Sequence, residues 1–421
     1  MIRRARTVAA RTVCLVLLAQ SAAWLPAQEG HGLPDVDTPN DRVALHMLRD
    51  DLALPVSLSA LDAEQEGVAV VQLEGTVVVV DGSGVRAEPL LDLRHRVTGR
   101  AGEQGLFSVA IEPATRAARR GGPRMVVAAF TERDTGDVIV AAYPLDEERW
   151  TVDADRETLL LRVPVPEPFH HGGQVVFGPD DMLWVSLGDG EAANDFLRLE
   201  PPTAQDLRSL RGKLVRIDPF PLGPGGDLPP YAIPPDNPFP DGVTHDGSPA
   251  APEIWAYGFR NPWKFTFDAA TGDVLLADVG NDRWEEINRV RRGGNHGWPS
   301  REGRECQPFP DAPGLVDPSC PERTFVEPLV ALPHLALDPR GAQAVTGGTV
   351  VVDPDLPELL GRYVFGDFVT GRLWAVDLDD GHLEFLLDTG LALTHVATGT
   401  AGEVFLIGIN GVLSRLVTRL P

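Results

Sequence analysis

The sequence is poor in basic residues. Its 421 residues include 37 lysines and arginines against 61 aspartates and glutamates, which gives a formal net charge of −24. A protein that binds nucleic acid needs a basic face to meet the phosphates, so we expect no nucleic-acid partner. The acidity indicates solubility first. Calcium binding is compatible with it but is not implied by it.

A long hydrophobic run is also missing from the start of the chain. The apolar residues 13–18 form a segment too short to span a bilayer, so we expect no membrane span. Three arginines in the first six residues, this short apolar centre and a small residue at Ala27 are typical of a secretory signal peptide. Residues 1–27 therefore predict export to the periplasm or the extracellular space. The alternative is a frayed cytosolic N-terminus.

The segment after the predicted signal peptide has few apolar residues. Residues 28–50 are mostly polar and contain two prolines, which predicts a flexible leader. Residues 43–49 within it predict a short helix or turn. The strand-like patterns begin only beyond this leader, so residues 51–421 form the predicted folded domain.

Cysteine is scarce, with 3 in the chain. Cys14 lies in the predicted signal peptide, so Cys306 and Cys320 remain in the mature protein. In an oxidising compartment such an even pair is typical of a disulfide, and the alternative is two free thiols. Two cysteines alone do not make a zinc site.

Glycine and proline, by contrast, are abundant and dispersed, with 43 and 38 residues. They separate short apolar segments of β character, as in an all-β protein. These segments fall into six groups that share a pattern of strand, turn, strand and then Gly with Asp or Asn. We therefore predict an all-β, six-bladed β-propeller with four-stranded antiparallel blades, closed by the strand at residues 54–59. A β-sandwich is the alternative, but it does not explain the repeat.

The densest stretch of the chain lies between residues 253 and 299. Two short apolar runs, residues 265–267 and 274–277, are separated by the turn DAATG and predict a hairpin. Arg260 and Asn261 stand just before this hairpin, between two residues that bend the chain. Polar groups at strand ends on a rigid sheet are where sites usually lie.

The same stretch resembles the glucose/sorbosone dehydrogenase family, the soluble sugar dehydrogenases that use pyrroloquinoline quinone (PQQ). The resemblance rests on an ordered set of motifs between residues 102 and 374: GEQG, HHGG with FGPD, AQDL with GKLVR, YGFRNPW, GDVLLADVG, WEEINRV with GGNHGWP, VTGG and GDF. It implies a six-bladed propeller that oxidises an aldose at its anomeric carbon to a lactone. The implied cofactors are PQQ and Ca²⁺, and the implied partners are a small-molecule aldose and an electron acceptor.

His170 is the candidate catalytic base. It stands in FHHGG, at the entrance to a predicted strand, and a histidine with a near-neutral pKa can accept a hydroxyl proton. From the residues alone, a structural loop histidine is the more common case. The resemblance places the family's base on His170.

Three further residues are implied by the same motifs. Arg260 carries a planar guanidinium that can bind quinone oxygens and stabilise charge as hydride arrives, and Asn261 can donate a hydrogen bond beside it. Gln104 in GEQG matches a glutamine near the cofactor and substrate of the family. The alternative readings are an arginine that caps strand carbonyls and a glutamine in a turn.

Calcium ligands are implied at four positions. Gly280 and Asn281 match residues whose carbonyls hold the cofactor's calcium, and Glu286 with the carbonyl of His296 matches a second, structural calcium in some relatives. Calcium takes oxygen ligands, often from backbone carbonyls. The spacing alone is not diagnostic, because acidic residues after a strand are more often solvated surface.

The chain departs from the family at three basic positions. Val369 stands at a lysine position, and Ala392 and Thr394 stand at two arginine positions, all of which bind the cofactor's carboxylates in well-known members. This difference keeps two other functions open. One is a non-catalytic propeller that binds a carbohydrate or a protein, and the other is a calcium-dependent lactone hydrolase that uses a metal-activated water.

Overall fold

The computed structural model describes residues 33–34, 36, 41–62, 65–99, 102–190, 202–220, 230–309, 312–316, 320 and 324–419. The predicted signal peptide lies outside the described residues, as do residues 28–32, 35 and 37–40 of the predicted leader.

Six antiparallel sheets stand in a ring, which confirms the predicted propeller. The first strand, β1 (Val43–Arg49), belongs to the last blade. The first three blades follow in chain order. Blade one contains β2 (Pro55–Ala60), β3 (Val68–Gln72), β4 (Thr76–Asp81), β5 (Gly84–Val85) and β6 (Leu91–Asp92). Blade two contains β7 (Leu106–Ile111), β8 (Met125–Thr131), β9 (Val138–Asp146), β10 (Thr151–Val152) and β11 (Thr158–Val163), with helix α1 (Ala114–Arg120) between β7 and β8. Blade three contains β12 (Gly172–Phe177), β13 (Leu183–Leu187), β14 (Lys213–Pro219), β15 (Tyr231–Ala232) and β16 (Ile254–Tyr257).

Blades four to six complete the ring. Blade four contains β17 (Pro262–Phe267), β18 (Val274–Asp278), β19 (Trp284–Val290) and β24 (Val330–Pro333). Two small hairpins are inserted before β24: β20 (Arg301–Glu302) with β21 (Glu305–Cys306), and β22 (Pro308–Phe309) with β23 (Ala312–Val316). Blade five contains β25 (Val345–Val350), β26 (Tyr363–Asp367), β27 (Arg372–Val376) and β28 (Leu383–Asp388). Blade six contains β29 (Leu393–Thr398), β30 (Val404–Gly408) and β31 (Val412–Thr418), to which β1 is added.

The ring is closed by β1, so two predictions were wrong. Residues 43–49 form a strand instead of a helix or turn, and they pair antiparallel with β31 from Val43 opposite Thr418 to Arg49 opposite Leu413. The strand at residues 54–59 was expected to complete the last blade, but β2 pairs with β3 and is the inner strand of blade one. Only Val43 in β1 is fully buried, so the local pattern is weak and the long-range pairing decides the structure.

The blades pack on one another through apolar strands buried on both faces. In blade one, Ala69, Val70 and Val71 are all fully buried. The first strand of each blade faces the axis, and these strands contact one another in the order β2, β7, β12, β17, β25, β29 and back to β2. Loops at the starts of these strands therefore converge at one end of the axis.

Cys306 and Cys320 form a disulfide with their Cα atoms 6.1 Å apart, which confirms the predicted pairing. The bridge lies in the insertion before β24. This insertion contacts the segment just after β18, where the N–H of Asn281 donates to Glu302. Across the described ranges, no helix has the length and apolar character to cross a membrane.

Candidate active site

A cavity opens at the end of the axis where the six inner strands begin. Its residues come from all blades but the third, and they are mostly apolar. They are Val56, Leu73, Gly102, Glu103, Asn261, Trp263, Val279, Ala344, Val345, Thr346, Phe368, Thr394 and Ile409. We call the part contributed by blades five, six and one (Leu73, Val345, Phe368, Thr394 and Ile409) the apolar wall.

His170 lies just before β12 and is held by a carboxylate. Its Nδ1 lies 2.8 Å from Oδ1 of Asp189, and the other oxygen of Asp189 accepts a hydrogen bond from Nε1 of Trp298 at 2.7 Å. Burial opposes ionisation of Asp189, but His170, Arg260 and Trp298 outweigh it and keep the pKa of this carboxyl below its usual value. An ionised Asp189 accepts a hydrogen bond from Nδ1 of His170 and so keeps the proton there. The lone pair of the neutral His170 ring is then on Nε2.

The backbone of His170 is as constrained as its side chain. Its φ angle is 52°, in the left-handed region that L-residues seldom adopt. The N–H donates to Oε2 of Glu103 at 2.9 Å and the carbonyl accepts from Gly190 at 3.2 Å. A Cβ on Gly188 would lie 1.9 Å from the His170 carbonyl oxygen, so only glycine fits there.

Arg260 and Asn261 are positioned by one buried carboxyl, Asp278 at the end of β18. Its two oxygens accept the backbone N–H groups of Arg260 at 2.9 Å and Asn261 at 2.7 Å. Burial raises the pKa of Asp278 to about 7, although both N–H groups and the Arg260 charge oppose the shift. The carbonyl of Arg260 accepts from the N–H of Asp189 at 2.8 Å, which ties the two segments together.

The guanidinium of Arg260 lies over Trp298, with its carbon 5.6 Å from the ring centroid. It donates to the carbonyl of Val279 at 3.1 Å and reaches Oδ1 of Asn281 at 3.4 Å. His170, Asp189, Arg260, Asn261 and Trp298 thus form one connected set, which we call the polar wall. Three of the residues predicted from the sequence, His170, Arg260 and Asn261, are brought together in it.

Of the site residues predicted from the sequence, Asn261 lines the cavity, and His170, Arg260 and Gln104 do not. Nε2 of Gln104 lies next to Gly136, whereas its neighbour Glu103 lines the cavity. The Glu103 carboxyl accepts from the backbone of His170 and from Nδ2 of Asn261 at 3.3–3.4 Å. Glu103 therefore lines the cavity and also bonds two residues of the polar wall.

The four predicted calcium ligands fall in two places. Gly280 and Asn281 follow β18 beside Arg260, and the N–H of Asn281 donates to Glu302 at 2.7 Å. Glu286 and His296 are buried together, because Asn288 donates to Glu286 at 3.0 Å and its Oδ1 lies 3.1 Å from Nδ1 of His296.

Burial shifts the pKa of both buried groups away from their charged forms. It raises the pKa of Glu286 to about 8, with the Asp278 carboxyl adding to the shift, and lowers that of His296 to about 3. Among the described residues no cluster of three or more His, Cys, Asp or Glu side chains is arranged for a metal. The calcium ligands implied by the resemblance stay predictions, since three of the four contributions would come from backbone carbonyls.

Four functional residues were missed from the sequence: Glu103, Asp189, Asp278 and Trp298. Signals for them existed. Asp189 stands between two glycines directly after a strand, and Trp298 closes the GGNHGWP motif. Neither signal shows which histidine or arginine such a residue will contact, because the partners lie far away in the chain.

The apolar wall does not fit the three carboxylates of PQQ. Among the residues that the structure describes, no lysine or arginine lines the cavity, and the one ionisable side chain in the lining is the acid Glu103. Of the three positions that are basic in well-known relatives, Ala392 packs against an apolar cluster and the Thr394 hydroxyl already bonds the carbonyls of Pro55 at 3.0 Å and Ile407 at 3.2 Å. Val369 has no polar atom to offer.

The comparisons with known proteins agree with this geometry. The family model Glucose / Sorbosone dehydrogenase matches residues 52–413. HIPL1 protein of Arabidopsis thaliana is 34% identical over 224 residues, which cover 51% of this chain and 31% of the relative. Aldose sugar dehydrogenase YliI of Escherichia coli K12 is 37% identical over 130 residues, 31% of this chain and 29% of the relative. The mouse Hedgehog-interacting protein is 26% identical over 251 residues, 53% of this chain and 32% of the relative.

The chain thus covers about a third of the length of each of these relatives. A solved structure titled glucose dehydrogenase matches 89% of this chain and 98% of its own with a TM-score of 0.68 and 25% identity. The family match covers nearly the whole described domain, in the order of the motifs found above. The chain belongs to the glucose/sorbosone dehydrogenase family.

Proposed function

We propose that the chain oxidises an aldose at its anomeric carbon to a lactone, with His170 as the general base. The observation that carries this proposal is the Asp189–His170 pair at 2.8 Å, supported from behind by Trp298. In the reaction, Nε2 of His170 takes the proton of the hydroxyl group on the anomeric carbon. That carbon gives a hydride to a two-electron acceptor. The sugar loses two hydrogens and becomes the lactone.

Arg260 is the proposed charge stabiliser. Its guanidinium lies at the edge of the polar wall, and a fixed positive charge there favours a transition state in which the acceptor becomes negative. Asn261 and Glu103 are the proposed polar positioners of the substrate. Gln104, which the resemblance suggests for this role, lies beside Gly136, so we assign the role to Glu103.

PQQ with calcium is the acceptor that the family resemblance implies. The polar wall has the proton acceptor and the cation that oxidation of a hydroxyl by a quinone requires. The apolar wall has no partner for the carboxylates of PQQ, so we assign no step to that group. The proposed partners remain a small-molecule aldose and an electron acceptor.

The test is an assay of the calcium-loaded protein with several aldoses, added PQQ or another quinone, and a dye as terminal acceptor. We expect dye reduction coupled to lactone formation. His170→Ala should lower the rate by ~10²–10⁴-fold. It should also lower the melting temperature, because Oδ1 of buried Asp189 would lose its partner. His382→Ala, an exposed histidine on blade five, is the matched control and should leave the rate unchanged.

A second candidate is a propeller that binds a carbohydrate or protein without turning it over. The cavity's lack of basic residues and the match to the Hedgehog-interacting protein favour it. The same assay separates the candidates. Binding of an aldose with no dye reduction by any quinone would support the binding propeller, whereas lactone hydrolysis with calcium and no quinone would support the hydrolase.

We also propose that the protein acts outside the cytoplasm. The disulfide supports this, because such bonds persist in oxidising compartments. Intact-mass analysis of protein from its native host should give a chain that begins near Gln28 and lacks free thiols. A mass that retains Met1 would contradict export through a cleaved signal peptide.

A further inference from the structure

The cavity beside His170 has a charge pattern opposite to the one that an anionic cofactor needs. Within the described part of the lining, Glu103 is the only ionisable residue, and it accepts hydrogen bonds from the His170 N–H at 2.9 Å and from the Asn261 amide. A carboxylate of a ligand placed here would leave water without a cationic partner and would face a like charge. Both effects weaken the binding of an anion.

Two cations among the described residues lie near the cavity without lining it. Lys264 lies behind Trp263, with Nζ 4.6 Å from the ring centroid, and is fully buried while it donates to the carbonyl of Phe107 at 3.3 Å. The Arg260 guanidinium is occupied by the carbonyl of Val279 and by Asn281. Neither residue lines the cavity, so neither lies against a carboxylate placed on the apolar wall.

The same cavity suits a flat, uncharged ring. Trp263 lies across it from blade four to blade six, and its Nε1 donates to the Thr394 carbonyl at 2.9 Å. The bond fixes the indole plane, so one of its faces is a rigid platform next to Val345 and Phe368. Aromatic platforms with apolar surroundings bind planar rings by stacking and by burial of apolar surface.

We propose that the cavity binds an uncharged, flat ortho-quinone in preference to the tricarboxylate PQQ, and that this quinone is the electron acceptor of the sugar oxidation. The inference rests on the proposed function for its redox step. In that step the anomeric C–H bond breaks and its hydride passes to the quinone, while the hydroxyl proton passes to Nε2 of His170 and then to the reduced ring. One aldose and one quinone give one lactone and one quinol.

Calorimetric titration of the calcium-loaded full chain tests the preference without any turnover. The three probes are PQQ, its trimethyl ester and 9,10-phenanthrenequinone, which share a planar ortho-quinone and differ in charge. We expect each uncharged probe to bind at least tenfold more tightly than PQQ. A smaller margin, a preference for PQQ, or no binding of any probe would overturn the inference.

Variants locate the site. Ala344→Phe fills the cavity and should abolish binding of phenanthrenequinone, and Ile409→Phe is the second filling variant if the first does not fold. Ala270→Phe, in the exposed turn between β17 and β18, adds the same ring elsewhere and should leave binding unchanged. Unchanged binding in both folded filling variants would place the quinone outside this cavity and overturn the inference.

Charge reversal gives an independent arm. Glu103→Gln keeps an acceptor for the His170 N–H and removes the negative charge, and Val369→Lys adds a cation at the residue that follows Phe368 of the apolar wall. Together they should raise the affinity for PQQ about tenfold and leave that for phenanthrenequinone within about twofold. An equal effect on both probes would show that charge does not set the preference.

The outcomes separate this inference from the proposed function. If uncharged quinones bind in the cavity but no aldose reduces them, the inference about binding stands and the oxidation fails. If aldoses are oxidised and PQQ binds most tightly, the oxidation stands and the inference fails.

Discussion

The polar wall, of which Asn261 lines the cavity, and the apolar wall differ in how their residues are held. Every member of the polar wall is fixed by hydrogen bonds to buried groups: Asp189 holds His170, Trp298 supports Asp189, and Asp278 holds Arg260 and Asn261. The apolar wall consists of two side chains at the starts of inner strands and three that directly follow the ends of second strands. A change in the polar wall leaves a buried partner unsatisfied, whereas a change in the apolar wall remains local.

This difference indicates that the polar wall and the apolar wall are separable parts of one site. The polar wall holds the residues that we propose remove the substrate proton. Of the three positions that are basic in well-known relatives, Thr394 lines the cavity, and Ala392 and Val369 lie outside the lining. The family therefore constrains the class of reaction more closely than it constrains the acceptor.

The largest effect should follow from breaking the polar wall at its buried carboxylate. Asp189→Asn keeps the size of the side chain, but an amide that donates to Nδ1 would place the histidine proton on Nε2. His170 could then no longer accept the substrate proton, and we expect the rate of sugar oxidation to fall by ~10²–10⁴-fold. Steady-state kinetics with quinone in excess measures it.

The control is Asp379→Asn, an exposed aspartate on blade five, which should behave as the parent. Quinone affinity should be unchanged in Asp189→Asn, because Asp189 does not line the cavity. A parent-like rate in this variant would show that His170 works without its carboxylate.

The second prediction concerns the disulfide, which braces only the polar wall. In the insertion that carries Cys306, Oε1 of Glu302 accepts four consecutive N–H groups, from Asn281 at 2.7 Å to Trp284 at 3.1 Å. Asn281 in turn contacts Arg260. Replacing both cysteines by serine should lower the free energy of unfolding by about 3 kcal/mol, as expected for a loop of this length.

The difference between the two walls predicts that the rate and the quinone affinity of that double variant respond differently. Its rate should fall because Arg260 loses a braced neighbour, while its affinity for an uncharged quinone should not change. Denaturant unfolding and calorimetry measure the two quantities. Equal losses of rate and affinity would show that both walls depend on the insertion.

The third prediction concerns Lys264, behind the indole that forms the cavity floor. Burial lowers its pKa from 10.5 to about 7, so the folded chain binds fewer protons than the unfolded chain between these pH values. The free energy of unfolding should therefore rise with pH from about 7 to 10.5, and the penalty should be fully present below pH 7. Lys264→Met should raise stability by about 2 kcal/mol at pH 6 and by less at pH 10.

The chain has one other lysine, and it serves as the control. Lys213 is equally buried, but it donates to the carbonyls of Thr203 and Ala204 at 3.0 Å and of Arg211 at 2.7 Å. Lys213→Met would leave three carbonyls without a donor and should destabilise the fold at every pH. If both variants stabilise the fold, burial of the lysine alone sets the effect on stability, and the hydrogen bonds of Lys213 do not matter.

The fold could be predicted well from the sequence, because each blade repeats a local pattern of strand and turn. Residues 265–267 and 274–277 were predicted as the two strands of a hairpin and lie in β17 and β18. The exception is β1, whose pattern is weak because its partner β31 lies at the other end of the chain. Local reasoning has no access to such a pairing.

The site could be predicted only in part. His170, Arg260 and Asn261 stand in recognisable motifs, and the structure brings them together. The choice between Glu103 and Gln104 depended on which of two adjacent side chains faces the axis, and the turn before β7 decides that. Asp189 and Trp298 could not be assigned to His170, because the contact joins blade three to the segment after blade four's third strand.

The smallest predicted effect isolates one hydrogen bond of the polar wall. Trp298→Phe removes the Nε1 donor to Asp189 at 2.7 Å but keeps an aromatic ring under the Arg260 guanidinium, so the stacking contact is largely preserved. Asp189 would lose one partner and hold His170 less firmly, which we expect to lower the rate about tenfold, near the ~1.5 kcal/mol of a hydrogen bond to a charged group. Trp255→Phe on blade three is the matched control with no contact to either wall. Rates and quinone affinities of the two variants should be measured together. If Trp298→Phe lowers quinone affinity as much as it lowers the rate, Trp298 supports the cavity itself. The residues in contact with Trp298 would then serve the acceptor as well as the base, and the division into two walls would be wrong.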